Sequence, residues 1–273
     1  MSYLINSPLG KNSGYVSTYQ PDLLFPIARC DQRENIGIKD KLPFYGVDVW
    51  NAYELSWLNA KGKPVVAMAQ FQLPCSSSNI IESKSFKLYL NSFNNTKFAS
   101  LEEVQEIIKK DLSEAAGTEV AVVVSLLHHS SDKIQQNFDG ICLDDLDITC
   151  ETYQVDANLL SVENDIVSET VYSDLLKSNC LITSQPDWGS LQITYTGKKI
   201  QHEGLLKYIV SFRNHNEFHE HCVERIFVDI MQYCKPITLT VHAKYVRRGG
   251  LDINPIRSTE MMLLDQSLRL CRQ

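Results

Sequence analysis

The chain has 273 residues, of which 44% are hydrophobic and 22% charged, so it is long enough for one large domain or two modest ones around a buried core. It contains no apolar run that could cross a membrane, and its first residues lack the basic and apolar segments of a signal peptide. A formal net charge of −7 argues against a dedicated nucleic-acid-binding protein, which would normally present a basic face.

The first half is predicted to contain three strands, a helix and a fourth strand. A loop-rich segment that is rich in Pro and Gly precedes them and ends at about residue 45. Ser100-Leu-Glu-Glu103 has the spacing of a capping box, and the apolar residues after it recur at helical spacing. Alternating or β-branched apolar residues predict the strands. The predicted strands are 53–58, 65–73, 86–93 and 120–127, and the predicted helix begins at Leu101.

The second half repeats this order of elements after a polar break at 130–136. Apolar residues alternate with polar ones in 191–195, and both this segment and 205–212 are predicted as strands. The segment 219–232 carries an apolar stripe at helical spacing, and 237–245 alternates cleanly. Each half therefore has the pattern of strands, a helix and a final strand, with room for a second helix.

A weak internal repeat accompanies this matching order. Four identities occur at an offset of 119 residues, and a fifth follows one residue later in register. Together with the element order, they favour two tandem α+β modules, at 1–135 and 136–273, over one large domain. The matched pairs are Tyr89 with Tyr208, Ser92 with Ser211, Phe93 with Phe212, Asn95 with Asn214 and Phe98 with Phe218.

The segment from Cys180 to Ser190 is the candidate catalytic loop. The thiol of Cys180 and the carboxylate of Asp187 lie seven residues apart around a Gln-Pro turn, and such a loop at a strand entrance can hold both at one cavity mouth. A thiol beside a proton carrier is the minimum set for covalent attack on an electrophilic carbon. The alternative is that Cys180 is a small buried hydrophobe, one of eight cysteines. The irregular spacing of these cysteines predicts reduced thiols in a cytosolic protein.

Glu82 opens a second polar segment, with Lys84 and Lys87, at the start of the third predicted strand. A carboxylate and two ammonium groups in this position suit a polar ligand. The alternative is a solvated sheet edge on which lysines prevent aggregation. The spacing alone favours the edge.

The segment from His215 to Cys222 contains three histidines and a cysteine between a predicted strand and a predicted helix. Its spacing is poor for zinc, because no C-x-x-C, C-x-x-H or H-E-x-x-H pattern is present. Glu220 lies at the start of the helix, where the dipole favours a carboxylate. Such a carboxylate can also accept from two adjacent N–H donors of a ligand, as on the edge of a guanine ring.

Two arginines and two glycines follow the last predicted strand, at 247–250. Arginine side chains supply positive charge and glycine lets the backbone approach, so the pattern suits a phosphate. An ordinary turn with solvated arginines is the alternative. The 12 glycines include neither a Rossmann nor a P-loop pattern, so a dinucleotide would not be held by either.

Four segments together resemble one enzyme family: 82–89, 180–189, 211–220 and 247–255. In this order they are similar to the NADPH-dependent 7-cyano-7-deazaguanine reductases, the nitrile reductases of queuosine biosynthesis. The glutamate-x-lysine-x-x-lysine element is what separates that family from the GTP cyclohydrolases of the same fold. The length and the repeat resemble the long form of the family, in which the first module is expected to be catalytically silent.

The resemblance implies a fold, a reaction and a set of site residues. The fold is α+β, with two tandem tunnelling-fold modules, each an antiparallel sheet with helices packed on one face. The reaction is the NADPH-dependent reduction of a nitrile to an amine through a covalent cysteine thioimide, without a metal. The resemblance makes Cys180, Asp187 and His219 catalytic, assigns substrate contacts to Ile81, Glu82, Ser83, His219 and Glu220, and assigns cofactor contacts to Ser83, Lys84, Arg248 and Gly249.

The remaining expectations concern partners and alternatives. The family resemblance implies a cytoplasmic homodimer that acts on free 7-cyano-7-deazaguanine, with no direct nucleic-acid or membrane contact. Whether Asp187 or His219 takes the thiol proton is left open. Two rival functions remain: a metal-dependent GTP cyclohydrolase-like enzyme of the same fold, which would bind zinc through Cys180 and histidines, and a non-catalytic purine-binding module.

Overall fold

The computed structural model describes residues 15–39, 41–127, 133–261 and 268–273. Strands and helices mix throughout these ranges, which confirms the α+β class. No helix in the described part is both long and apolar enough to span a bilayer. The strands are β1 (Pro26–Ala28), β2 (Tyr45–Leu58), β3 (Pro64–Pro74), β4 (Asn79–Ile81), β5 (Ala121–Leu126), β6 (Lys133–Gln135), β7 (Ile141–Cys142), β8 (Val162–Asn179), β9 (Pro186–Ile200), β10 (Thr238–Tyr245), β11 (Leu251–Ser258) and β12 (Leu268–Leu270). The helices are α1 (Cys30–Glu34), α2 (Ser83–Ser92), α3 (Leu101–Ala116), α4 (His202–Ser211) and α5 (His219–Tyr233).

The chain divides into two compact units, each assembled from separate stretches of sequence. Unit 1 consists of the described residues of Met1–Asp31, Asp48–Ser131 and Arg247–Asp252. Unit 2 consists of those of Gln32–Val47, Asp132–Val246 and Ile253–Gln273. That 1–135 and 136–273 are a silent and a catalytic module stays a prediction. The expectations for residues 1–14 and 130–132 lie outside the described residues, and 133–135 form β6.

The strands of unit 1 follow from alternating apolar residues. β3 pairs antiparallel with β5, with Phe71 opposite Val122, and β2 is the other neighbour of β3. β1 and β4 form a separate antiparallel pair. The predicted helix is confirmed as α3, since Ser100 accepts a hydrogen bond from the N–H of Glu103 at 3.1 Å. Gly117 ends this helix with a left-handed φ of 72°.

The segments 86–93 and 205–212, predicted as strands, are helices α2 and α4, so these two predictions were wrong. In α2 the alternating residues that suggested a strand are buried together with Tyr89, one turn from Phe86, as a helix requires. The decisive local signal is Glu82, whose side chain accepts from the backbone N–H groups of Lys84 and Ser85 and caps the helix. Glu82 therefore begins a helix and not a strand edge. These two segments are the second helix that each half was expected to have room for.

The internal repeat has a structural counterpart in each unit. The hydroxyl of Tyr89 donates to Asp111 at 2.7 Å, which ties α2 to α3. In unit 2 the hydroxyl of Tyr208 donates to Asp229 at 2.6 Å and ties α4 to α5 in the same way. In both helices a serine hydroxyl donates to the carbonyl of this tyrosine at 2.6 Å. The repeated tyrosine is therefore the residue that ties each helix pair together.

Unit 2 contains the longest strands, of which β8 was not predicted. β8 and β9 form an antiparallel hairpin that runs from the pair Val162–Ile200 to the pair Asn179–Pro186. β9 pairs antiparallel with β10, which confirms the last predicted strand, and β10 pairs antiparallel with β11. The first half of β8 is polar and exposed, so its sequence lacks the usual strand signal. The turn of the hairpin carries Cys180.

Buried charges of unit 2 are paired around the centre of α5. Glu224 is fully buried and accepts from Arg33 at 2.7 and 2.9 Å and from Arg257 at 2.8 and 3.1 Å. Burial raises the pKa of Glu224, but the two guanidinium groups outweigh burial and hold it well below its usual range. An unpaired buried charge is costly. Removal of one of these three charged side chains would therefore destabilise the unit more than the ion pairs stabilise it.

Candidate active site

Cys180 follows directly on β8, in the tight turn that leads into β9. Its backbone N–H donates to the carbonyl of Gln185 at 2.8 Å, and its carbonyl accepts from the N–H of Ser184 at 3.0 Å. Ser184 adopts a left-handed φ of 55°, and the side chain of Asn216 donates to its hydroxyl at 3.0 Å. The turn is thus fixed by its own backbone and by a side chain from outside. Cys180 lies in it with 9% of its surface exposed.

Asp187 is placed close to Cys180 by the register of the hairpin. Asn179 and Pro186 form the last pair of the β8–β9 ladder, so Cys180 and Asp187 each lie one residue from that pair. Asp187 is buried, opposite Ser178. The two side chains therefore lie at the same end of the hairpin, although Asp187 belongs to β9 and not to a loop.

His219 opens α5 and brings an imidazole to Asp187. Its Nε2 lies 3.4 Å from Oδ1 of Asp187. That distance is long for a hydrogen bond, and within the described residues Nε2 of His219 makes none. Active-site hydrogen bonds are often long without substrate and shorten when it binds. The two groups can pass a proton between them or to a bound molecule.

Tyr245, the last residue of β10, lies against His219. The centroids of the two rings are 4.1 Å apart, with the planes at 60°. Tyr245 is 1% exposed and is paired in register with Gly189 of β9. In the sequence, this residue is only the last apolar position of an alternating strand. Nothing in its spacing from His219 signals the contact, because the two residues meet through the sheet.

Glu217 is a second site residue that the sequence did not reveal. It is 3% exposed and accepts from Arg225 at 2.9 and 3.0 Å and from His215 at 2.9 Å. Burial raises the pKa of Glu217, but these hydrogen bonds outweigh burial and lower it to about 2. Its backbone N–H donates to the carbonyl of Asn179 at 3.1 Å. This backbone hydrogen bond holds the segment before α5 against the end of β8.

The histidine and cysteine cluster of 215–222 is dispersed in the structure. His215 binds Glu217, His219 faces Asp187, and burial, with the charge of Glu217, raises the pKa of Cys222 to about 12. In the described ranges no group of three or more His, Cys, Asp or Glu residues is arranged to hold a metal. Glu220 is buried in the first turn of α5, where the helix dipole favours a carboxylate.

The predicted site residues of unit 1 begin at the cap of α2. Both carboxylate oxygens of Glu82 accept backbone N–H groups, from Lys84 at 2.7 Å and from Ser85 at 2.8 Å. Burial raises the pKa of Glu82, and the two backbone hydrogen bonds oppose that rise. Ile81 is buried at the end of β4, Ser83 is exposed and Lys84 is half-buried. The cap presents a carboxylate and a lysine side by side.

The turn at 247–250 also belongs to unit 1, although it follows β10 in sequence. Gly249 and Gly250 have φ values of 59° and 78°, which glycine tolerates best. A Cβ on Gly249 would lie 2.7 Å from the end of the Lys87 side chain. Arg248 is exposed. All four predicted cofactor contacts, Ser83, Lys84, Arg248 and Gly249, therefore belong to one unit.

A polar network anchors this turn. The guanidinium carbon of Arg247 lies 3.8 Å from the centroid of the Tyr53 ring. The hydroxyl of Tyr53 donates to Asp252 at 2.6 Å, and the backbone N–H of Tyr53 donates to the carbonyl of Gly250 at 3.0 Å. Asn51 donates to the other oxygen of Asp252 at 2.8 Å. Stacking occupies Arg247, so Arg248 is the exposed arginine of the pair.

Comparison with known proteins identifies relatives over nearly the whole chain. A family model described as "Nitrile reductase, 7-cyano-7-deazaguanine-reductase N-term" matches residues 15–124, and one described as "QueF-like protein" matches 186–262. An NADPH-dependent 7-cyano-7-deazaguanine reductase of Legionella pneumophila (strain Lens) is 59% identical over 270 residues, with 98% of this chain and 95% of that protein covered. One from Burkholderia multivorans is 54% identical, with 98% of each chain covered.

A solved structure with a weaker likeness is the archaeosine synthase QueF-Like in its apo form. It is 17% identical, with a TM-score of 0.31, and covers 37% of this chain and 99% of its own. At this TM-score the likeness does not bear on the fold or on the function.

Proposed function

The chain belongs to the family of NADPH-dependent 7-cyano-7-deazaguanine reductases, and from this premise we propose its reaction and its site. It reduces the nitrile of 7-cyano-7-deazaguanine to the primary amine of 7-aminomethyl-7-deazaguanine, in queuosine biosynthesis. Four electrons and four protons are added: two hydrides come from two NADPH, and two protons come from the solvent through the protein. One observation carries the proposal: Cys180 and Asp187 directly follow Asn179 and Pro186, which are paired in the β8–β9 ladder.

Cys180 is the nucleophile. Its sulfur attacks the nitrile carbon, the C≡N π bond takes up a proton at nitrogen, and a covalent thioimide results. A free cysteine has a pKa of about 8.5, so the thiol proton needs an acceptor at neutral pH. Asp187 and His219, 3.4 Å apart, are the candidates for that acceptor. The fixed turn around Cys180 keeps its sulfur near them, which lowers the entropic cost of the attack.

Asp187 supplies the proton that the nitrile nitrogen takes up, as a general acid. Its burial strengthens its interaction with a developing charge, because little water competes. His219 handles protons in the later steps, when the sulfur leaves and the amine forms. The open Nε2 of His219 and its distance from Asp187 support this sharing of roles.

The substrate ring is held by carboxylates. Glu220 accepts from the N–H edge of the deazaguanine, and its burial makes such charge-assisted hydrogen bonds strong. His219 is its neighbour in sequence, so recognition and proton transfer originate from one turn of α5. Ile81, Glu82 and Ser83 are further proposed substrate contacts. The carboxylate of Glu82 already accepts two backbone N–H groups, which fixes its orientation for this role.

Unit 1 has the features that an NADPH phosphate needs. Gly249 has no Cβ to fill the space beside Lys87, so a phosphate can approach the backbone of the turn closely. The exposed Arg248 supplies several N–H donors for it. Ser83, Lys84, Arg248 and Gly249 would hold the cofactor. When bound, NADPH supplies the hydrides of the reaction. The residues of unit 1 have only to bind and orient it.

The decisive experiment is an incubation of the purified protein with 7-cyano-7-deazaguanine and NADPH, followed at the NADPH absorbance band. Oxidation of two NADPH for each nitrile consumed supports the proposal. Conversion of GTP without NADPH, abolished by a chelator, would favour a cyclohydrolase-like enzyme. Tight binding of the deazaguanine without turnover or adduct would favour a non-catalytic purine-binding module.

Replacement of Arg248 by alanine is expected to erode the preference for NADPH over NADH. The 2′-phosphate is the group that distinguishes the two cofactors, and Arg248 is the exposed arginine beside the glycine turn. Steady-state kinetics with each cofactor measure the preference, which should fall by roughly ten- to a hundredfold, as expected for a lost charge-assisted contact. Lys110→Ala removes another exposed cation of unit 1 and should leave the preference unchanged. Equal use of both cofactors by the wild type would contradict the assignment.

Glu220→Gln is expected to weaken substrate binding. One N–H donor of the deazaguanine would then face an amide N–H, which leaves buried polar groups unpaired. Titration calorimetry in the absence of NADPH, with a Cys180→Ala background to prevent the adduct, should show a loss of roughly tenfold or more in affinity. Glu203→Gln, in the first turn of α4, is the matched control. An unchanged dissociation constant for Glu220→Gln would remove this residue from recognition.

The assembly is proposed to be a homodimer in the cytoplasm, without direct nucleic-acid contact. β5 is the terminal strand of its sheet in the described part of the chain, carries no charged residue, and exposes Val123. Such an edge normally pairs or is covered. No disulfide joins the cysteines of the described residues, which agrees with a reducing compartment. Sedimentation equilibrium should give twice 31.1 kDa, and a monomer at micromolar concentration would oppose the proposal.

A further inference from the structure

The contact between Tyr245 and His219 goes beyond the residues assigned so far. A ring separation of 4.1 Å is short for two side chains that are not bonded to each other, and Tyr245 is almost fully buried. Buried aromatic side chains have few alternative rotamers, so a ring in this position restricts the group that it touches. The imidazole of His219 therefore has one side closed by Tyr245.

The position of Tyr245 is itself fixed by β9. Gly189 lies opposite Tyr245 in the register, and a Cβ there would come within 3.1 and 3.2 Å of the tyrosine ring. Any larger residue would push the ring away, so glycine lets the ring pack against the strand. At its backbone, the carbonyl of Tyr245 accepts from the side chain of Gln273 at 3.3 Å.

Asp187 shares a face of β9 with Gly189, because the two residues are two positions apart on one strand. The imidazole of His219 therefore has two fixed neighbours: the Tyr245 ring, seated over Gly189, and the Asp187 carboxylate at 3.4 Å. The strand sets the distance between these two neighbours. Rotation of the imidazole away from Asp187 would require the tyrosine ring to move.

We propose that Tyr245 is a positioning residue for the reaction: its ring, seated over Gly189, holds the imidazole of His219 with Nε2 toward Asp187. The inference rests on the proposed function, in which His219 and Asp187 move protons. Tyr245 acts through the imidazole and does not itself react. It is the ring of Tyr245 that lies against His219, so the ring carries the role.

The position matters because proton transfer is sensitive to geometry. A displacement of about 1 Å in a reacting group can cost about a hundredfold in rate. Loss of the ring would free the imidazole to rotate, whereas loss of the hydroxyl would leave it in place. Glu220, a proposed substrate contact, is held in place by α5 and not by Tyr245, so substrate affinity should change little.

The test compares Tyr245→Phe with Tyr245→Leu in two measurements. The first, made without NADPH, compares the rate of adduct formation on Cys180 with the substrate dissociation constant in the Cys180→Ala background. The leucine variant should form the adduct about thirtyfold more slowly with affinity within about threefold, and the phenylalanine variant should match the wild type within about threefold. The second is the NMR shift of the His219 ring protons in the free protein. The ring current of Tyr245 should shift them in the wild type and in the phenylalanine variant, but not in the leucine variant.

Gly189→Ala is the second variant, since Tyr245→Leu removes a large buried ring and risks unfolding. The added methyl should displace the ring, change the His219 shift and slow adduct formation by about tenfold. Equal rates in the leucine and phenylalanine variants, or wild-type rates in both Tyr245→Leu and Gly189→Ala, would overturn the inference. A wild type that forms no adduct would overturn the proposed function instead, and the NMR shift would still decide whether the ring holds the imidazole.

Discussion

Replacement of Cys180 by alanine is expected to abolish both turnover and covalent chemistry. The thiol is the proposed nucleophile, and no other group in its turn can form a thioimide. Intact-mass spectra of the wild type with 7-cyano-7-deazaguanine and no NADPH should show the mass of one substrate molecule added. Peptide mapping should place it on Cys180. The Cys180→Ala protein should show no added mass and a reduction rate at the level of the uncatalysed background.

The control for this experiment is Cys75→Ala, which removes another buried thiol. Cys75 is followed by Ser76 and Ser77 and by no aspartate loop. This variant should keep the adduct and the wild-type rate, apart from any loss of stability. An adduct on Cys75, or no adduct on the wild type under any condition, would contradict the covalent mechanism.

Asp187→Asn is expected to slow adduct formation by roughly two to four orders of magnitude, which is the usual contribution of a general acid. The amide keeps the size of the side chain but has no proton to give. Substrate affinity should be retained, because the proposed recognition groups are elsewhere. Rapid-quench mass spectrometry measures the rate, and calorimetry in the Cys180→Ala background measures the affinity.

The matched control is Asp174→Asn, which changes a second carboxylate of the same hairpin, in β8. Its rate of adduct formation should stay within a few-fold of the wild type. If Asp187→Asn forms the adduct at the wild-type rate, its carboxylate is a structural group. The proton would then have to come from His219 or from solvent.

Local signals predicted part of the fold correctly. α3 was predicted from its capping box and its apolar period, and β10 from clean alternation. α2 was misread because Phe86, Leu88 and Leu90 alternate over a short stretch, and a short apolar run does not distinguish the two periods. The cap at Glu82 would have decided the question, but a glutamate is a weaker cap signal than serine or aspartate.

Prediction of the site likewise succeeded only for residues that are close in sequence. Cys180 and Asp187 are close in sequence, and the structure brings them to one turn. Tyr245 and Gly189 are 56 positions apart and meet only through the pairing of β9 with β10, which sequence spacing does not reveal. Arg248 follows β10 yet belongs to the compact unit of the N-terminal half. The assignment of roles came from family resemblance and not from spacing.

The two tyrosine–aspartate bonds, Tyr89 with Asp111 and Tyr208 with Asp229, bear on the history of the molecule. If the two halves arose by gene duplication, both copies kept the tyrosine–aspartate hydrogen bond that joins their paired helices. The thiol turn of β8 and β9 has no equivalent in the hairpin of β2 and β3, whose turn at 59–63 contains no cysteine. Selection on the architecture would then act on both copies, while selection on the chemistry acts on one. A first copy relieved of the chemistry would be free to acquire another task, such as the proposed binding of the coenzyme.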